Sequence, residues 1–203
     1  VTGARMDSQE RPSLPRRFVA LAVPNVAASL LVPLTSLVDT ALLGHLDDAR
    51  HLAGVSPATV DFDLLYWTFG FLRMGMTGLT AQAQGSGDRA EVEALLLRAL
   101  AIGLGLGLLL LAISWPIREA ALALMSGTPP VNGEASGYMQ GRFLGAPAAL
   151  AVYAINGWLL GLGRTREALA LQIVMNIANI GLDIWFVWGM DFGAYGVGLG
   201  TAC

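Results

Sequence analysis

FVALAVPNVAASLLVPLTSLV, residues 18–38, runs for 21 positions without a charge. A helix that crosses the hydrocarbon core of a bilayer needs about 20 apolar residues, so this stretch is long enough to span. Others follow it: 19 uncharged residues from Ala99 to Ile117, 21 from Phe143 to Gly163, and 22 from Ala168 to Gly189 in which Asp183 is the one charge. The segment from Pro57 to Ala83 carries Asp61, Asp63 and Arg73 but is strongly apolar around them. A last apolar stretch, rich in small residues, opens at Gly193 and reaches Cys203 after 11 residues. At 1.5 Å per residue that is about 16 Å, roughly half a membrane. The expectation is an all-α integral membrane protein, a polytopic helix bundle of five full spans and the start of a sixth.

Composition agrees. Of 203 residues, 55% are hydrophobic and 13% charged, and the mean hydropathy is +0.60. Soluble domains carry about 25% charged residues. This hydrophobicity excludes disorder, and a single cysteine, Cys203, excludes a disulfide scaffold. A formal charge of −3 without any basic tract argues against nucleic-acid binding. His45, His51 and Cys203 are too few for a standard zinc site.

All twelve basic residues are arginines, and their distribution predicts orientation. Arg5, Arg11, Arg16 and Arg17 precede the first span, Arg89 and Arg98 lie between the second and third, and Arg164 and Arg166 between the fourth and fifth. The other side collects Arg50 and Arg118, with Arg142 at the mouth of the fourth span. The N-terminus is therefore expected on the cytoplasmic side of the membrane. The first apolar run exceeds the 7–15 residues usual in a signal peptide, so it reads as an uncleaved span. Residues 1–15 read as a flexible cytoplasmic N-terminus and 16–203 as one transmembrane lobe. Ser56-Pro57 predicts a helix start, and GSGD at 85–88 and GTPP at 127–130 predict turns. Pro24, Pro33 and Pro147 predict kinks.

Ionisable residues inside a bilayer are costly and mark function by default. Asp39 lies five residues before Gly44 at the outer end of the first span, and Asp183 six before Gly189 at the outer end of the fifth. Both spans run outward, so the acids sit at similar depth, about 8–9 Å from their helix ends. Asn176, Asn179 and Asp183 share one helical face. Thr201, about 12 Å along an inward-running sixth helix, reaches the same level. Asp39, Asn179, Asp183 and Thr201 are thus the expected cation or proton site. Their carboxylate, amide and hydroxyl oxygens suit a hard cation such as Na+, and two carboxylates that resist ionising together suit H+ carriage. Asn176 is either part of the cavity or a hydrogen bond between helices. Asp61 and Asp63 either line the cavity or face external water. Arg73 either snorkels inward or pairs with an acid. The pairs Gly103/Gly107, Gly157/Gly161 and Gly196/Gly200 read as close helix contacts.

Four strings, VPLTSLVDTALLGHL at 32–46, FGFLRMGMTGLTAQAQG at 69–85, NGWLLGLGRTR at 156–166 and NIANIGLDIWFVWGM at 176–190, resemble the multidrug and toxic compound extrusion family, most of all its bacterial DinF-type branch. The resemblance implies a two-lobed antiporter, six helices per lobe, that exports bulky organic cations in exchange for H+ or Na+ and needs no other cofactor. It also implies that the N-terminal lobe holds its cation at Asp39, Asn179, Asp183 and Thr201, the four residues reached above. Against the family pattern the chain ends within the sixth helix, which makes it an N-terminal lobe whose partners are the lipid bilayer, a small organic substrate and a C-terminal lobe.

Three other readings compete. An intramembrane aspartyl protease would also place two aspartates on neighbouring helices, but its GxGD signature is incomplete at Gly181-Leu182-Asp183. A related lipid-precursor flippase would use basic groups toward an anionic head, whereas the intramembrane charges here are mainly acidic. A noncatalytic truncated remnant would insert and transport nothing.

Overall fold

The computed structural model describes residues 14–44, 49–125 and 127–202, leaving out the side chains at 14–17, 32–36, 39, 42–43 and 49–52. The described residues are almost wholly helical: α1 (Leu14–Gly44), α2 (Ala49–Thr68), α3 (Gly70–Ser86), α4 (Arg89–Ala112), α5 (Ser114–Met125), α6 (Pro129–Leu144), α7 (Ala146–Gly161), α8 (Thr165–Ile184) and α9 (Gly193–Ala202). A π turn, Trp185–Gly189, extends α8. The expected N-terminal tail falls outside the described residues.

Inside and outside are exchanged relative to a soluble protein. Large apolar side chains such as Phe18, Leu30, Trp67, Leu124 and Ile177 point outward, an apolar surface far beyond what water tolerates. Two helices, α4 and α8 with its π turn, are each long and apolar enough to cross a membrane, and α6 with α7 makes a third if the bent pair is one span. The predicted count of five therefore exceeds what length and composition alone support.

Local chemistry explains the breaks. Between α6 and α7 the axis bends by 52° at Gly145, two residues before Pro147, whose missing N–H leaves the Phe143 carbonyl without its α-helical donor. Ile113 interrupts α4/α5 three residues before Pro116 in the same way. The kink expected at Pro147 is thus present; α1 is helical through Pro24 and Pro33. Pro57 does not begin a helix: α2 starts at Ala49 and carries Pro57 inside it. A proline removes one hydrogen bond but does not dictate where a packed helix begins. The prolines of GTPP likewise open α6, with Thr128 at its N-cap position, because a missing N–H costs nothing in a first turn. GSGD turns as expected. Gly87 caps α3 with φ 77°, and the Asp88 carboxylate accepts the Glu91 N–H at 3.0 Å to cap α4.

Glycines set the packing. A Cβ at Gly103 would stand 2.9 Å from the Leu150 carbonyl oxygen, and one at Gly107 would collide with the Pro147 backbone, so α4 and α7 meet main chain to main chain. Gly157 and Gly161 do the same for α7 against Arg73 and Thr80 of α3. On α9, Gly198 abuts the Tyr138 carbonyl of α6, while Gly196 and Gly200 turn toward the π turn and α8. Among the other contacts, the most extensive are those of α1 with α8 and α2 with α6. At the α2–α6 contact the half-buried Arg142 is not a loop residue at a helix mouth. Its guanidinium lies over Phe62, Tyr66 and Tyr138, 5.4, 5.6 and 5.9 Å from the ring centroids.

Candidate functional site

Along α8 the polar residues Gln172, Asn176, Asn179 and Asp183 recur at spacings of four, three and four, which keeps them on one side of the helix. The lower pair binds α1: Gln172 Nε2 donates to Asn176 Oδ1 at 2.9 Å, and Asn176 Nδ2 donates to the Leu31 carbonyl at 3.0 Å. Asn176 therefore makes the interhelical hydrogen bond foreseen as one of its two roles.

The upper pair is buried. Asn179 is 7% exposed and Asp183 is 0% exposed. Neither amide atom of Asn179 has a hydrogen-bond partner among the described residues, an expensive state for a buried amide unless something is meant to be bound there. The Asp183 carboxylate turns toward α9, where a Cβ at Gly200 would fall on it. Only glycine leaves that space. Thr201 follows at once, half-buried, its hydroxyl donating to the Val197 carbonyl at 2.7 Å. Since the O–H points back into its own helix, the oxygen lone pairs remain available as acceptors.

Of the four expected site residues, Asn179 and Asp183 share a buried face of α8, and Thr201 lies beside the glycine that receives Asp183. Asp39 belongs to α1, which packs along α8, but its side chain lies outside the described residues. Asp61 is half-buried and Asp63 exposed on α2, which packs mainly on α6. His45, His51 and Cys203 lie outside the described side chains. Among the described residues no three His, Cys, Asp or Glu side chains gather, so the site offers a carboxylate, an amide and a hydroxyl rather than a transition-metal ligand set.

The MatE family profile matches residues 24–185, most of the chain. The chain belongs to the MatE family. It is 39% identical over 181 residues to DNA damage-inducible protein F of Escherichia coli (strain K12), covering 89% of this chain and 39% of that protein. Against Multidrug resistance protein PmpM of Pseudomonas aeruginosa identity is 29% over 174 residues, covering 86% of this chain and 36% of that one. In solved structures, a MOP superfamily transporter from Pyrococcus furiosus superposes with a TM-score of 0.83 at 22% identity, over 92% of this chain and 41% of its own. This MatE chain thus spans about two fifths of the length of the curated relatives it matches. Family members are multi-pass inner-membrane transporters.

Two parts of the site escaped the sequence reading. Gln172 extends the α8 stripe by one turn, and counting four residues back from Asn176 finds it. Gly200 was visible as half of a small-residue pair, but nothing in the sequence says that its missing Cβ is filled by a carboxylate.

Proposed function

We propose that this chain is the N-terminal lobe of a cation-coupled antiporter that exports small organic cations, with Asp39, Asn179, Asp183 and Thr201 as its H+ or Na+ site. One observation carries the reading: a fully buried carboxylate, Asp183, next to a buried amide with no partner among the described residues, in a chain that belongs to a transporter family. A buried acid must be neutralised by a proton or a cation, which is the chemistry of coupling.

Register supports Asp39 as the second acid. Asn176 bonds to Leu31, fixing α8 against α1 at one level. If the two helices run in the same direction, as first and fifth spans do, Asp39 lies about 12 Å beyond that level and Asp183 about 10.5 Å. Two acids at one depth exchange one ion for another as a pair. The proposed orientation keeps the N-terminus cytoplasmic, residues 16–203 form the lobe, and a C-terminal lobe supplies the other half of the translocation cavity. Multidrug resistance in the name of the Pseudomonas relative supports organic cargo.

The test is cation-dependent stability of the purified chain. A ligand of the folded state raises the unfolding midpoint in proportion to RT ln(1 + [L]/Kd). Na+ or acidification is expected to raise the midpoint of the wild type, and Asp183→Asn and Asp39→Asn to abolish the response. An unchanged response in both variants rejects the site. Export is checked separately, by efflux of a cationic dye from cells making this chain joined to a C-terminal lobe.

A further inference from the structure

At the opposite end of the α8 stripe lies a second polar place. A cavity of about 50 Å³ opens between α1, α3, α7 and α8, walled by Asn25, Ser29, Arg73, Asn156, Leu160 and Gln172 among others. Gln172 is 11 residues from Asp183 along α8, about 16 Å, so this cavity is separate from the acid site.

Its chemistry has the other sign. Among the described residues Arg73 is the one charged residue in the wall, and no carboxylate accompanies it. Arg73 is exposed; its guanidinium makes no ion pair and no side-chain hydrogen bond among the described residues, and its carbonyl accepts from the Thr77 hydroxyl at 2.8 Å. Three amide side chains share the wall with it, those of Asn25, Asn156 and Gln172. The N–H groups of Asn25 and Asn156, the N–H that Gln172 does not give to Asn176 and the five of the guanidinium supply donors from four helices. Gly157 brings α7 onto the backbone of Arg73, which is what sets Asn156 beside it. An arginine that merely snorkels needs water and a flexible stem; it does not need amides from three further helices. A volume of 50 Å³ admits roughly three waters, or the three heavy atoms of a carboxylate.

We infer that this cavity binds the carboxylate or phosphate group of an amphiphilic molecule, through the Arg73 guanidinium and the amides of Asn25, Asn156 and Gln172. Charge-assisted bonds from a guanidinium to such an oxyanion are among the strong ones, and the surrounding apolar surface accommodates the tail. The anionic group has two sources, a free amphiphile or the headgroup of an anionic lipid. This inference does not depend on transport or on the acid site.

The test uses the purified chain in phosphatidylcholine nanodiscs, titrated with radiolabelled dodecanoate and with dodecanol. Saturable binding of dodecanoate and none of dodecanol is expected. Arg73→Gln should weaken dodecanoate binding about tenfold or more. Asn156→Asp, which puts a negative charge in the wall, should weaken it similarly, so the outcome does not hang on one variant. Adding phosphatidylglycerol to the nanodisc distinguishes the sources: competition with dodecanoate identifies a lipid headgroup, and its absence a free amphiphile. Equal binding of dodecanoate and dodecanol, or wild-type dodecanoate binding in a folded Arg73→Gln or Asn156→Asp chain, overturns the inference and leaves a solvent-filled cleft.

Discussion

The seam that joins α3, α4 and α7 and the seam that joins α1, α8 and α9 solve one problem in two ways. In lipid there is no hydrophobic force to press helices together, so contact has to come from close approach or from polar bonds. The first seam relies on close approach, with Gly103, Gly107, Gly157 and Gly161 letting backbones touch. It buries one hydroxyl without a partner among the described residues, that of Thr80. The second relies on polar groups, Gln172 to Asn176 to Leu31, and then keeps Asn179 and Asp183 buried above them. A seam of backbone contacts has one good arrangement. A seam with a buried carboxylate carries in addition a charge that its surroundings have to meet.

The largest effect should come from spoiling the first seam. Gly107→Val drives a branched side chain into the Pro147 backbone; overpacking at this level costs about 3 kcal/mol or more, roughly 6–12 °C in unfolding midpoint. Circular dichroism of the detergent-solubilised chain measures it, and a drop of only a degree or two would mean that α4 and α7 part easily. Asp183→Asn should do the opposite. Its fold is expected to persist, since an amide fits the same space without a charge to bury, while Na+ affinity falls at least about tenfold in the same thermal assay. Collapse of the fold would instead make Asp183 structural. Away from both seams, Asp88→Ala removes the cap of α4 and should cost about 1 kcal/mol without changing ion response. Least of all, Asn176→Ala breaks the bond to Leu31, worth about 0.6 kcal/mol by the average for such bonds in membrane bundles. A loss several times larger would show that this bond governs how α1 sits on α8.

Most of the helices and much of the site could be read from residues. Uncharged runs near 20 residues mark where chain crosses lipid, because nothing else tolerates them there. Helix periodicity places Asn179 and Asp183 on one face, as found. Helix ends were harder. Pro57 lies inside α2 and Pro129 opens α6, since a proline fixes only one missing donor and tertiary packing decides whether a helix continues around it. Pro147 announces the break at Gly145, but its 52° angle between α6 and α7 is set by packing that composition does not encode. Arg142, counted with the outer loops, instead lies among Phe62, Tyr66 and Tyr138; a cation–π box needs rings from two helices, and single-chain spacing cannot announce it.

The glycines of α9 change how its residues should be interrogated. Replacing a residue by alanine ordinarily takes atoms away and asks what they contributed. At Gly196, Gly198 and Gly200 the same replacement adds a methyl group, and each would strike a neighbour: Phe186, the Tyr138 backbone and the Asp183 carboxylate. An alanine scan of this helix is therefore an insertion scan, and its most sensitive positions report the thickness of the gap rather than the value of a side chain. At Gly200 that gap is occupied by the acid itself, so an alanine there would probe the proposed ion site without altering any of its four residues.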